Sequence, residues 1–191
     1  MRIVIVGSSG SGKSTTARAL SRALGVPHVE VDALNWQPGW QDLSRLDPEA
    51  FYRRVAEAAA GEAWVMDGNY TKVREAHWSR ATAFIWMDID RWTVMRQVIW
   101  RSFNRAVTKQ ELWPGTGNKE LFRKWVEKEH PIRWAWDNFA MIRARYSQWF
   151  ADGAFEGRPV YRVGNRREGR QLIARLAAEQ TLPIRPPPAI L

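Results

Sequence analysis

The stretch GSSGSGKS at residues 7–14 fits the pattern Gly-x-x-x-x-Gly-Lys-Ser, whose residue types and spacing are suited to holding a phosphate chain. Gly7, Gly10 and Gly12 let the backbone turn tightly and present successive N–H groups, with Ser8, Ser9 and Ser11 between them. Lys13 offers a point charge to β- and γ-phosphates, the Ser14 hydroxyl suits Mg2+, and Thr15 leads into a helix whose N-terminus favours anions. ATP and Mg2+ are the cofactors this chemistry calls for.

Three carboxylates follow short apolar runs: Asp32 after HVEV, Asp67 after AWVM and Asp88 after FIWM. Asp67 and Asp88 are both candidates to help Ser14 place the metal. Asp67 is favoured because Gly68 leaves room for a ligand, whereas Asp88 also reads as a turn or helix cap. Arg101 and Arg105 are four residues apart and share one helix face, where they can neutralise a transferring phosphoryl group; Arg96 points somewhat aside. The alternative for this pair is a solvated basic helix face.

These side chains need a scaffold. RIVIV (2–6) predicts a buried strand, and KSTTARALSRAL (13–24) a helix with Ala17, Leu20 and Leu24 on one face. Further strands are predicted at 28–32, 63–67, 82–89 and 158–163. Asp47-Pro48 marks a helix start, and Asp90 caps a long helix from residue 91. Residues 71–81 read as a short polar helix or loop, and 111–118 as a loop. Helical pattern resumes over 119–128 and 131–150, with a last helix at 167–180. Strands alternating with helices imply a three-layer α/β fold with a parallel sheet, whose ligands sit at the carboxyl ends of the strands. One domain is expected over residues 1–180, followed by a proline-rich tail at 181–191.

The chain has 191 residues, a net charge of +9, 12 tryptophans and no cysteine. Absence of cysteine excludes disulfides, thiolate metal sites and a cysteine nucleophile, and agrees with a cytoplasmic location. The sequence has neither a signal-peptide pattern nor an apolar run long enough to span a bilayer. The basic excess points to an anionic partner: a nucleotide, a nucleic acid or a membrane surface. His28, His77 and His130 show no metal-ligand spacing and receive no role.

Four features together give a family resemblance: GSSGSGKST, the acidic end of the second strand in EVD, MDGNY after the third, and RSFNR in the helix after the fourth. They resemble the P-loop small-molecule and nucleoside-monophosphate kinases, of which adenylate kinase and shikimate kinase are members. With DALNWQPGW and ELWPG added, the chain is similar to a bacterial adenylate-kinase-like group labelled topology modulation proteins. The resemblance implies a P-loop nucleoside triphosphate hydrolase fold with its five strands ordered 2-3-1-4-5. It also implies an acceptor-binding segment at about 32–61 and a lid at about 101–128. The VGNRREG turn, with Asn165 and Arg166, would then border the adenine ring, although an ordinary strand-to-helix turn is the equal alternative.

The acceptor is less legible. Adenylate kinases carry an arginine soon after the third-strand Asp-Gly; here Asn69, Tyr70, Thr71 and Lys72 follow, with Arg74 later. Asp32 suits a hydroxyl acceptor, since a carboxylate can take its proton and repels a phosphate, while Arg45, Arg53 and Arg54 pull toward a phosphate. Trp36 and Trp40 either stack on a ligand ring or brace the segment. The expected activity is ATP- and Mg2+-dependent phosphoryl transfer to a small molecule, with a nucleoside or nucleotide favoured. The catalytic set is Lys13, Asp32, Arg101 and Arg105. The rival readings are a nucleotide-binding regulator touching DNA or RNA through a basic face with Trp113, Trp125, Trp134 and Trp136, and a simple ATPase.

Overall fold

Val4 and Val6 pack into one apolar cluster and Ile3 and Ile5 into another, so the first strand alternates between two buried faces. The computed structural model describes residues 1–70, 78–122, 125, 130–153, 155 and 157–181. In chain order the main elements are β1 (Arg2–Gly7), α1 (Lys13–Leu24), β2 (His28–Glu30), α2 (Val31–Asn35), β3 (Trp36–Gln37), β4 (Gln41–Asp42), α3 (Leu43–Leu46), α4 (Pro48–Ala58), β5 (Trp64–Asp67), β6 (Ala83–Met87), α5 (Arg91–Thr108), α6 (Pro131–Ala151), β7 (Val160–Val163) and α7 (Arg166–Thr181).

Among the described residues the main sheet has five strands, ordered β2-β5-β1-β6-β7, and every neighbouring pair is parallel. With the small β3–β4 hairpin left out of the count, this is the expected order 2-3-1-4-5. Phe51 and Val55 of α4 and Ile142 and Tyr146 of α6 cover one face of the sheet. Leu20 and Leu24 of α1 and Leu176 of α7 cover the other. The result is three layers with apolar burial on both sides of the sheet.

Several helix ends follow the expected chemistry. Asp47 accepts from the Ala50 amide at 2.9 Å with Pro48 in the first helical turn, and Asp90 accepts from the Thr93 amide at 2.9 Å. Two expectations need correction. The second strand stops at Glu30, so Asp32 lies in the first turn of α2 rather than at a strand end. The segment from 119 does not open as a helix: Lys119 pairs antiparallel with Glu111, closing the Pro-Gly loop into a small tongue. Pro38–Trp40 forms a single 3-10 turn, and β3 and β4 flank it as a two-residue ladder, Trp36 opposite Asp42 and Gln37 opposite Gln41. The expectations for 71–77, most of 123–129 and the tail beyond 181 lie outside the described residues. Among the described residues no helix is long and apolar enough to cross a membrane.

Candidate active site

The loop between β1 and α1 is pressed against α5. A Cβ on Gly10 would fall 2.8 Å from the Val98 side chain and 3.1 Å from the Val94 carbonyl, and its φ of +82° is itself disfavoured for other residues. Gly12 begins α1 with no side-chain cap, which leaves the first amides of the helix for a ligand. Lys13 folds over the loop and donates to the Ser8 carbonyl at 2.9 Å. Ser8 and Ser11 are buried, Ser9 is half-buried and Thr15 is exposed. The mouth of the loop is pinned by Asn69, whose amide donates to the Gly7 carbonyl at 2.6 Å while its oxygen accepts from the Tyr146 hydroxyl at 3.0 Å.

Asp67 closes β5 and is 2 % exposed. Its Oδ2 accepts from the Ser14 hydroxyl at 2.5 Å, and its Oδ1 meets His28 Nε2 at 2.7 Å. Gly68 follows because Val31 of α2 lies directly above it: a Cβ there would approach the Val31 Cβ to 2.8 Å. Asp88 is employed differently. Arg143 Nε donates to its Oδ1 at 2.7 Å and Arg162 Nε to its Oδ2 at 2.9 Å, which ties the end of β6 to α6 and β7. Burial alone would raise the Asp88 pKa, but these two guanidiniums outweigh it and hold the carboxyl below its usual range. The two candidate acids are thereby separated. Asp67 shares its carboxylate with the phosphate loop, and Asp88 is the hub of an ion cluster.

Asp32 receives a hydrogen bond from the Tyr70 hydroxyl at 2.9 Å. Burial raises the Asp32 pKa above the ordinary carboxylate value, and Asp67 adds to the rise, while Lys13, the Tyr70 bond and Arg101 oppose it. Burial also pushes the Tyr70 hydroxyl up, so it remains a donor. Burial lowers the Lys13 pKa, against the attraction of Asp32 and Asp67. Arg101 is brought down to about 10 by burial and by Arg105, which still leaves it cationic at neutral pH. The expected residues Lys13, Asp32, Asp67 and Arg101 therefore share one electrostatic environment. Arg105 lies behind Arg101 and faces Glu120, 3.9 Å away, which in turn sits 3.2 Å from His130 Nε2. Arg96 is exposed and outside this group.

The tongue at 111–119 rests on the β3–β4 hairpin. Trp113 stacks on Trp36 with centroids 6.3 Å apart and meets Trp40 edge-on at 6.0 Å, and Trp36 and Trp40 contact each other at 5.9 Å. Asn118 clamps the hairpin backbone, accepting from the Trp40 amide at 3.0 Å and donating to the Gln37 carbonyl at 2.9 Å. Trp40 has a φ of +63°, rare for a bulky side chain, so this clamp holds a strained residue. Arg53 and Arg54 are both exposed, and Arg54 reaches the same hairpin through Gln37 Oε1 at 2.8 Å. Lys72 and Arg74 lie outside the described residues.

Asn165 caps α7: its oxygen accepts from the amides of Arg167 and Glu168, each at 3.0 Å, and its nitrogen donates to Glu168 Oε1 at 2.6 Å. Arg166 is exposed beside it. The side chain of Asn165 is thus engaged in capping the helix. Sequence reasoning missed the contributions of His28, Asn69, Tyr70, Asn118 and Glu120. The DGNY string held two of them, but the partners of His28, Asn69, Tyr70 and Asn118 lie far along the chain.

A parallel sheet in this order behind a Gly-Lys-Ser cradle defines the P-loop nucleoside triphosphate hydrolase fold, in its shikimate-kinase-like form. Shikimate kinase from Acinetobacter baumannii, solved in complex with shikimate, superposes with a TM-score of 0.53 and 18% identity, covering 95% of each chain. In sequence, the chain is 40% identical over 67 residues to the shikimate kinase of Mycobacterium leprae (strain TN), 34% of either protein. It is 34% identical over 102 residues to that of Symbiobacterium thermophilum, 47% of this chain and 59% of the relative. The matches span about a third and about three fifths of the lengths of these two curated relatives. No family model matches the chain.

Proposed function

We propose that this protein is an ATP- and Mg2+-dependent small-molecule kinase that phosphorylates a hydroxyl group. The observation that carries the proposal is the electrostatic proximity of Lys13, Asp32, Asp67 and Arg101, with Asp67 at the carboxyl end of β5 and Asp32 held by Tyr70. The loop amides from Gly7 to Ser14, and Lys13, receive the donor phosphates. Ser14 and Asp67 suit Mg2+, because two hard oxygens lie side by side and Mg2+ characteristically completes its shell with water and phosphate. When bound, Mg2+ neutralises charge on the β- and γ-phosphates.

Asp32 orients the acceptor hydroxyl and takes its proton as the oxygen attacks, and its raised pKa makes it a better base than an exposed carboxylate. Arg101 and Arg105 offer positive charge to the transferring phosphoryl, and the 111–119 tongue limits water access. A carboxylate at the acceptor position favours a neutral hydroxyl over a phosphate. The sequence relatives are shikimate kinases, which points the same way, so a small hydroxylated acceptor of the shikimate type replaces the nucleotide favoured by sequence. The finer likeness to topology modulation proteins rests on DALNWQPGW, DGNY and ELWPG alone. Two of the four tryptophans named for a nucleic-acid face are engaged within the protein: Trp113 is stacked on Trp36, and Trp134 packs against the core.

The test is acceptor-dependent ADP release across shikimate, related hydroxy acids, polyols, nucleosides and nucleoside monophosphates. The proposal expects one hydroxylated class to raise ADP release above the water background. Release that no acceptor stimulates means an ATPase and refutes it.

A further inference from the structure

His28 has no place in the chemistry above, yet it touches the residue on which the metal assignment rests. β2 and β5 are parallel neighbours with His28 opposite Val65 and Glu30 opposite Asp67. His28 and Asp67 therefore stand on the same face of the sheet, two residues out of step. That offset is roughly 6–7 Å along a strand, too far for a short polar side chain and within reach of an imidazole. The ring spans it, and Nε2 comes 2.7 Å from Asp67 Oδ1. An ionised carboxylate only accepts, so Nε2 carries the proton in this bond. The other carboxylate oxygen, Oδ2, is left for Ser14 at 2.5 Å.

We propose that His28 is a positioning residue for Asp67, fixing the carboxylate so that Oδ2 faces Ser14 and thereby setting the Mg2+ dependence of nucleotide binding. The proposal rests on the reading of Ser14 and Asp67 as the metal-facing pair, and is independent of the acceptor. Asp67 is more than nine-tenths buried, and its side chain is bonded by His28 and Ser14. Without the imidazole the carboxylate is free to rotate and loses a charge-assisted partner. Groups that hold a metal-binding carboxylate in this way characteristically change metal affinity about 10–100-fold when removed.

The experiment compares the wild type with His28→Phe, His28→Gln, Asp67→Asn and the His28→Phe/Asp67→Asn double variant. Calorimetry gives the ATP dissociation constant with and without Mg2+, and a thermal melt reports folding. The expected result is that His28→Phe weakens ATP binding about tenfold with Mg2+ present and leaves metal-free ATP binding unchanged. His28→Gln, which keeps an N–H donor, recovers most of the loss. His28→Phe adds nothing once Asp67 is Asn. An equal loss with and without Mg2+, no loss at all, or a full additional loss in the double variant overturns the proposal. If His28→Phe does not fold, the Gln variant alone decides: near-wild-type Mg2+ dependence in the Gln variant supports the donor role, and a loss equal to that in Asp67→Asn overturns it. A wild type whose ATP affinity ignores Mg2+ refutes the metal reading itself along with this inference, and is recognised before any variant is made.

Discussion

Tyr70 donates to Asp32 at 2.9 Å across 38 residues of chain, joining the segment after β5 to the first turn of α2. This bond stabilises the ionised carboxylate, while burial disfavours it and prevails. Two consequences can be measured. Asp32→Asn should leave ATP affinity unchanged and lower turnover by about 10²–10⁴. Tyr70→Phe removes a stabiliser of the charged form, so the acidic limb of the rate profile should move to higher pH. A shift to lower pH, or an Asp32→Asn variant that has also lost ATP binding, contradicts the assignment.

The same shift predicts a stability effect. The folded-state pKa of Asp32 is raised, so its contribution to stability is present below the unfolded value of about 3.9 and lost as pH rises through the folded value. At neutral pH the buried charge opposes folding. Asp32→Asn should therefore melt higher than the wild type at pH 7, with the difference vanishing in acid. Calorimetry at pH 7 and pH 3 checks both signs.

Asp88 behaves in the opposite sense. Its pKa is depressed by Arg143 and Arg162, so its contribution is present above about 3.9 and lost as pH falls through the folded value. Asp88→Asn should cost about 1–3 kcal/mol at pH 7, toward the low end because both guanidiniums are at least half exposed. Urea titrations should show the gap to wild type narrowing in acid. The Mg2+ dependence of ATP binding should be unaltered, in contrast to Asp67→Asn.

Trp113→Ala removes the indole that joins the tongue to Trp36 and Trp40. Aromatic pairs of this kind contribute about 0.5–1.5 kcal/mol beyond area burial, so the tongue should open more often. Acceptor KM should rise several-fold with ATP affinity unchanged, and amide exchange over 111–119 should accelerate. Unchanged exchange would show that Asn118 alone holds the contact.

Arg101→Ala tests the cationic face of α5. An arginine acting on the transferring phosphoryl is worth about 10³–10⁵ in rate, so kcat should fall by orders of magnitude with little change in acceptor KM. A mild effect paired with a large one for Arg105→Ala would assign that role to Arg105 and leave Arg101 as its support.

By itself the sequence determined the fold and the donor cradle. Phosphate binding needs glycines, a lysine and a hydroxyl within eight consecutive residues, and an apolar run of alternating faces declares a buried strand locally. Asp47 and Asp90 were legible for the same reason, since a helix cap acts within three residues. What lay between distant strands was not legible. Asp67 and Asp88 look alike as acids ending apolar strands, and only the packed structure sets one beside Ser14 and His28 and the other between Arg143 and Arg162. Trp36 and Trp40 were open between stacking on a ligand and bracing, because Trp113 lies more than seventy residues away. His28 carried no local signal, since its role exists only where parallel register aligns β2 with β5. Hydrogen bonds and ion pairs are decided at a few ångströms, and the distances between remote residues are set by tertiary packing.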